Sequence, residues 1–195
     1  MIEMCIDILR DPVSALQKAK KQNSMNRVWI ALLESCILIG IGTGIIIAKT
    51  GSFTQFALTL AATSAVTVLI SVFVISLVVS YILKIITVNL GGKGKYREGL
   101  TSVAFSLVPI SVGVLVASIF ALVPAGIVIS LLAAVIGFAA GFSTLYRSVQ
   151  ELFRTDMVVS LVSVSVLILS IFAALYMSVG LTALTQITSL FPVVA

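Results

Sequence analysis

The distribution of positive charge constrains the fold of this chain more than any other feature of its sequence. Every Lys and Arg except Lys49 lies in one of three stretches, residues 1–27, 84–97 and 147–154. The sequence between and after these stretches is almost free of charge. Because basic loops stay on the cytoplasmic side of a membrane, each apolar stretch between two of them is predicted to cross out and back. The pattern predicts five crossings, with the N-terminus in the cytoplasm and the C-terminus outside.

The composition requires an integral membrane protein. Of the 195 residues, 60% are hydrophobic and only 10% are charged, which leaves too little polar surface for a soluble domain. A helix needs about 20 apolar residues to cross a hydrocarbon core of roughly 30 Å. The sequence therefore predicts an all-α, five-helix transmembrane bundle in a single membrane domain, residues 28–180. The spans are predicted at about residues 28–48, 53–83, 100–122, 126–146 and 157–180. Span two exceeds the core thickness, so it must tilt or project.

The two terminal segments are predicted to lie outside the spans. Residues 1–27 are polar, so we expect a cytoplasmic segment and no removable signal peptide. Asp11-Pro12 is typical of a helix start and predicts a short interfacial helix, with a frayed polar tail as the alternative. Residues 181–195 are predicted to form an apolar external tail. A sixth crossing is the alternative, but this segment is short for a membrane span.

Glu34 is the sole ionisable residue well inside a predicted span. An intramembrane carboxylate is a functional hypothesis by default, because a charge in hydrocarbon is costly. Glu34 could bind a proton or a cation, or pair with Arg147 or Lys84. The alternative is a carboxylate that is protonated, or that reaches interfacial water, and supports helix packing. The position of Glu34 near the cytoplasmic interface favours this alternative.

Small and hydroxyl-bearing side chains recur at helical spacing in the predicted spans. In span two, hydroxyls four residues apart form one slowly turning stripe. The stripe consists of Thr59, Thr63, Thr67 and Ser71. It could line a polar path, but hydrogen bonding between packed helices is the more common use of such residues. In span four, Gly137 and Gly141 form a Gly-x-x-x-Gly and predict a helix-packing face, within the chain or between chains.

The sequence offers no catalytic, cofactor-binding or metal-ligating constellation. It contains no histidine, the commonest general base and metal ligand. The acids Glu98, Glu151 and Asp156 each lie near an Arg, which indicates helix capping and ion pairing. Basic residues beside spans are explained by membrane orientation rather than by nucleic-acid binding. We therefore expect a protein that is not an enzyme and has no nucleic-acid partner.

A glycine-broken basic loop precedes span three and is the candidate cytoplasmic contact loop. It reads Gly91-Gly92-Lys93-Gly94-Lys95-Tyr96-Arg97-Glu98. Phosphate-binding loops have a longer glycine spacing and a Ser or Thr after the Lys, so nucleotide binding is not indicated. Basic side chains at the inner leaflet attract anionic lipid head groups. The contact residues are predicted to be Lys93, Lys95, Tyr96, Arg97 and Glu98.

This loop, together with the apolar stretch that reaches Leu107-Val108-Pro109, resembles the membrane domain of the Ypt/Rab-interacting protein (Yip) family in its short prokaryotic form. In that family a Gly-Gly-Lys-Gly turn, an aromatic residue and an Arg-Glu pair precede a span that contains a Pro. The similarity covers roughly residues 10–180, including the early Asp11-Pro12 and the aromatic-rich link between spans four and five.

The resemblance implies a five-helix domain with its N-terminus in the cytoplasm. In eukaryotic relatives this domain lies in Golgi and ER membranes and binds prenylated small GTPases and partner membrane proteins in vesicle traffic. The Asp-Leu-Tyr-Gly-Pro type motif of those relatives is not found before span one, so we do not extend small GTPase binding to this chain. In a prokaryote the membrane would be the plasma membrane.

Three functional hypotheses follow. The first is a non-enzymatic multi-pass membrane protein that contacts partner proteins, itself or lipids through helix faces or cytoplasmic loops, in membrane organisation or trafficking. The alternative is a small permease or channel component in which Glu34 and the hydroxyl stripe line a path. A water-filled cavity shared by Glu34 and Thr67 would favour transport. The third hypothesis is lipid binding in a groove between helices.

Overall fold

The computed structural model describes residues 25–50 and 53–170. These residues form helices and short turns, and this part of the chain contains no strand. The helices are α1 (Met25–Thr50), α2 (Gln55–Asn89), α3 (Tyr96–Ala121), α4 (Ile127–Phe153) and α5, described as Met157–Ser170. The first four are long enough and apolar enough to cross a membrane. The prediction of an all-α, polytopic membrane bundle is confirmed.

Some predicted features lie outside the described residues. These are the interfacial helix near Asp11, the end of span five after Ser170 and the external tail, residues 181–195. The span limits stay predictions, since a helix can continue beyond the hydrocarbon core. α2 and α4 continue past Lys84 and Arg147, the expected membrane boundaries, because Lys and Arg are good helix formers.

Helix ends are set by backbone conformation rather than by the first charge. α2 continues to Asn89 and is followed by Gly91, which has a φ of 92° that glycine adopts readily. α4 ends at Phe153, where Arg154 takes the left-handed conformation with φ 52° and its N–H donates to the Gln150 carbonyl. Short turns join consecutive helices, so neighbours in sequence run antiparallel.

The antiparallel order collects most of the charge at one end of the bundle, here called the charged end. The described cations there are Arg27, Lys84, Lys93, Lys95, Arg97, Arg147 and Arg154, and the acids at the helix ends are Glu98, Glu151 and Asp156. At the opposite end the described residues include one cation, Lys49, whose ammonium donates to the Ala121 carbonyl and links the ends of α1 and α3.

α3 is the central helix of the described bundle. In its most apolar 18-residue stretch 56% is buried, against 17% in the corresponding stretches of α2 and α4. It packs most extensively against α4 and α1 and less against α2, whereas α2 and α4 barely touch. The core includes Leu32, Leu100, Phe105 and Phe153, all fully buried. Because α2 and α4 each present one face to the described bundle, we expect their other faces to meet lipid.

Glycines let α3 and α4 approach closely. A Cβ on Gly137 would lie 2.7 Å from Gly113 Cα and 3.1 Å from the Pro109 carbonyl oxygen. A Cβ on Gly141 would lie 2.8 Å from the Ser106 carbonyl oxygen. Real side chains do not tolerate such distances, so both glycines are needed for this packing. The structure thus places the candidate helix-packing face inside the chain, against α3.

Candidate functional site

The loop between α2 and α3 docks on the corner between α4 and α5. The Lys93 N–H donates to the Phe153 carbonyl with an N–O distance of 2.9 Å. A Cβ on Gly92 would lie 2.7 Å from Thr155 Cγ2, and one on Gly94 would overlap the Phe153 ring. Two loops that are far apart in sequence therefore touch through glycine positions, and they form one surface at the charged end.

The α4–α5 corner is fixed by its own hydrogen bonds. The Thr155 N–H donates to the Gln150 carbonyl at 3.3 Å, and its buried hydroxyl lies 2.7 Å from Ser160 Oγ. The Ser160 N–H in turn donates to the Asp156 carbonyl at 2.9 Å, which is a hydrogen bond of the first turn of α5. Because Phe153 is fully buried directly before this corner, its carbonyl is held in place to accept from the loop.

The start of α3 is held by a cap and by aromatic packing. The Lys95 N–H donates to Glu98 Oε2 at 2.8 Å, which satisfies an amide next to the helix start. The Tyr96 ring lies 6.4 Å from the Tyr81 ring, and Lys84 Nζ lies 5.8 Å from the Tyr81 ring centroid. Glu98 therefore acts as a cap, as its position in the sequence predicts.

The outward charge of the contact loop is carried by two of its five candidate residues. Lys93 and Lys95 are exposed, whereas Tyr96, Arg97 and Glu98 are half-buried. Docking also places Lys93 beside the residue that follows Phe153, the exposed Arg154, which the sequence did not indicate as a site residue. The Phe-Arg pair in the aromatic-rich link between spans four and five could have indicated Arg154. The sequence does not show, however, that the Lys93 loop packs against this link.

Four amides of the loop, those of Gly91, Gly92, Lys93 and Lys95, are occupied by internal hydrogen bonds. The Gly91 N–H donates to the Val88 carbonyl at 3.1 Å and the Gly92 N–H to the Thr87 carbonyl at 2.9 Å. The amides of Lys93 and Lys95 are engaged by Phe153 and Glu98, as described above. A phosphate-binding loop needs free amides that converge on the anion. These four amides are therefore not free to form such a cradle, and the exposed side chains of Lys93 and Lys95 are the charged donors of the loop.

Glu34 and the hydroxyl stripe do not share a cavity in the described bundle. Glu34 is half-buried on α1, and all four stripe residues are exposed on α2. The hydroxyls of Thr59, Thr63 and Thr67 donate to carbonyls of α2 itself, at 3.0, 3.1 and 2.9 Å. The stripe thus meets its hydrogen-bonding needs locally. Among the residues described, it neither lines a path nor packs against another helix.

Two apolar cavities lie along the helices. One of about 190 Å³ is bounded by α2, α3, α4 and α5, with Ser76 and Ser106 among its lining residues. The other, of about 310 Å³, lies over the α3–α4 crossing at Gly113 and Gly137. Neither is lined by Glu34 or Thr67. Lipid binding in such a groove stays a prediction.

The described residues hold no group of three or more His, Cys, Asp or Glu that could bind a metal ion. The titratable side chains of the charged end are mainly Lys and Arg with capping acids, a composition suited to electrostatic contact. The charged end can therefore attract anions or acidic groups, and a nucleophile with an adjacent base is not among its described side chains.

The apolar helices, together with the surface that the two docked loops form at the charged end, define a multi-pass α-helical membrane protein. The Yip1 domain model matches residues 6–183, nearly the whole chain, so this chain belongs to the Yip1 domain family. The resemblance drawn from the loop into span three is thereby confirmed. Comparison with curated proteins and with solved structures gives no match.

Proposed function

We propose that this Yip1-domain protein works without catalysing a reaction and organises membranes through contacts with partner proteins or lipids at its charged end. The observation that carries the proposal is the docking of the Lys93 loop on the Phe153 carbonyl. A surface that is already ordered before binding loses less conformational freedom when a partner binds. The glycines and the cap at Glu98 therefore hold the contact surface in a fixed conformation. A loop that only connected α2 and α3 would not need them.

The proposal includes the orientation of the chain. Positive residues at membrane boundaries favour the cytoplasmic side, which supports placing the charged end in the cytoplasm and the N-terminus on the same side. In a prokaryotic cell this would be the inner face of the plasma membrane. The expected partners are other membrane proteins, a second copy of the chain, or anionic lipids.

Site-specific photo-crosslinking in the native membrane tests the proposal. A photoreactive amino acid replaces Lys95 at the charged end or, as a control, Gln55 at the opposite end; both residues are exposed. We expect defined protein or lipid adducts from position 95 that are absent from position 55. Failure to obtain adducts from position 95, or identical adducts from both positions, would contradict the proposal.

Flux measurements separate this proposal from the permease hypothesis. Purified protein in liposomes is expected to carry no ion or proton flux above that of empty liposomes. A flux that is present in the wild type and lost in Glu34→Gln would instead support a path through the bundle, since that substitution removes the intramembrane carboxylate and keeps its shape.

A further inference from the structure

We propose that Lys93, Lys95 and Arg154 form one composite site for the head-group phosphate of an anionic phospholipid. This inference rests on the proposed function and names the ligand of its contact surface. The three exposed cations come from two different loops and are brought to one surface by the bond from the Lys93 N–H to the Phe153 carbonyl, 2.9 Å long.

The docking geometry makes the site composite. Phe153 is 0% exposed and anchors the corner, and hydrogen bonds hold its carbonyl and the Arg154 N–H, so the backbone at both residues is fixed in position. Gly94 lies against the Phe153 ring, where any Cβ would overlap it. The positions of Lys93 and Lys95 relative to Arg154 therefore depend on glycine at position 94. Charge alone does not bring the two loops together.

The position of the surface favours a lipid phosphate. The loops join the ends of membrane-spanning helices, and the head-group region extends only about 5–8 Å beyond the hydrocarbon core on each side. The surrounding lipids thus supply the nearest anions. Arg154 offers a planar fork that matches phosphate, and the two Lys offer mobile point charges. Because the amides of Gly91, Gly92, Lys93 and Lys95 are already engaged, we assign recognition to these side chains.

The nearby acids leave this surface positive. The Glu98 carboxylate accepts from the Lys95 N–H and is half-buried. Asp156 and Glu151 are exposed on the α4–α5 side. The described charged end carries seven cations against these three acids and Glu34, so its net charge is positive. An anionic head group gains from the net charge, whereas a zwitterionic choline lipid gains little.

Lipid titration followed by native mass spectrometry tests the site on the full-length, delipidated protein in neutral detergent. The probes are phosphatidylglycerol and phosphatidylcholine. Each Lys or Arg near a head group changes affinity roughly fivefold. The double variant Lys93→Gln/Arg154→Gln should lower phosphatidylglycerol affinity at least about tenfold and leave phosphatidylcholine binding unchanged.

The matched control removes the same charge from the same end of the bundle. Arg27 and Arg147 are both exposed there but do not belong to the composite site. Arg27→Gln/Arg147→Gln should change phosphatidylglycerol affinity only roughly twofold, through the general field of the protein. An equal loss in the two double variants would overturn the composite site, because generic surface attraction would then explain the binding.

Gly94→Ala separates docking from charge. It keeps every cation but places a methyl group on the Phe153 ring, so we expect it to lower phosphatidylglycerol affinity about as much as the charge variant does. Thermal stability and size-exclusion elution identify the folded fraction. If this variant is too unstable, Phe153→Leu takes its place; it removes the ring against which Gly94 packs but keeps the carbonyl, so we expect a smaller loss of phosphatidylglycerol affinity in the same direction.

Two further outcomes would refute the lipid assignment. Full displacement of phosphatidylglycerol by excess inorganic phosphate would indicate a site for the free ion. The second outcome combines two results for Lys93→Gln/Arg154→Gln. If this variant binds phosphatidylglycerol as the wild type does, but loses the protein adduct that the photoreactive amino acid at position 95 forms in the wild type, the surface belongs to a protein partner. That second outcome refutes the lipid inference and leaves the proposed function standing.

Discussion

The close crossing of α3 and α4 allows one substitution to be predicted in detail. In Gly137→Ala the new methyl carbon would lie 2.7 Å from Gly113 Cα. Carbon atoms in favourable contact lie about 3.5–4.0 Å apart, so the two backbones must separate by about 1 Å. Overpacking of this kind costs about 1–3 kcal/mol in the free energy of unfolding.

Gly44→Ala is the matched control, because it makes the same chemical change within another helix. Its methyl carbon would lie 3.3 Å from Ala65 Cβ and 3.4 Å from the Ala61 carbonyl oxygen, a tight contact that small shifts relieve. Alanine also favours a helix over glycine by up to about 1 kcal/mol in water. We therefore expect Gly44→Ala to be close to neutral, and the difference between the two variants isolates the effect of clearance.

The assay is thermal unfolding of purified protein in detergent, followed by size-exclusion of the fraction that stays folded. Adding Gly113→Ala completes a double-mutant cycle. If the first methyl group already separates the helices, the second lowers stability less in the double variant than it does alone. The two effects on stability are then not additive. Wild-type stability of Gly137→Ala, or equal damage in Gly44→Ala, would refute the reasoning.

Three shorter predictions concern topology and the two ends of the bundle. Cysteines introduced at Lys93 and Arg147 should be labelled by an impermeant maleimide from the same side of the membrane, and a cysteine at Gln55 from the other side; labelling of the first two from opposite sides would disprove the antiparallel order. Glu98→Ala removes the carboxylate that accepts from the start of α3 and should lower stability by about 1 kcal/mol, with faster amide exchange in the preceding loop; unchanged exchange would contradict the cap. Lys49→Met removes a donor to the end of α3 and should lower stability by about 1 kcal/mol in thermal unfolding, whereas an unaltered midpoint would show that the bond contributes nothing.

Much of the fold could be predicted because the bilayer simplifies the problem. An apolar stretch in lipid must satisfy its backbone internally, so length and charge position alone indicate a helix. The ends of the helices were harder to predict. Lys84 and Arg147 mark the expected membrane boundary, but α2 and α4 continue past them to Asn89 and Phe153. Charge reports the position of the head groups, whereas glycine and left-handed residues end the helix.

The candidate site shows where sequence reasoning ends. The glycines of the contact loop were visible, but their role depends on Phe153 and Thr155, which come much later in the chain. Gly137 was visible because of its spacing to Gly141, whereas Gly113 has no such pattern and was missed. The hydroxyl stripe had clear periodicity, but periodicity identifies a face of a helix and not the neighbour of that face. Tertiary contacts decide each of these cases.

The length of α2 has a consequence for the lipid around the protein. At 1.5 Å per residue the apolar part of α2 before Lys84, residues 55–83, spans about 43 Å, whereas residues 28–48 of α1 span about 31 Å. Among the described helices, α2 therefore presents the longest apolar wall, and we expect it to meet the acyl chains on one side of the protein. Lipids on that side must stretch, or α2 must lean, and both responses create an asymmetric hydrophobic mismatch. We therefore expect the protein to partition toward the thicker regions of a heterogeneous bilayer and to deform the thinner ones.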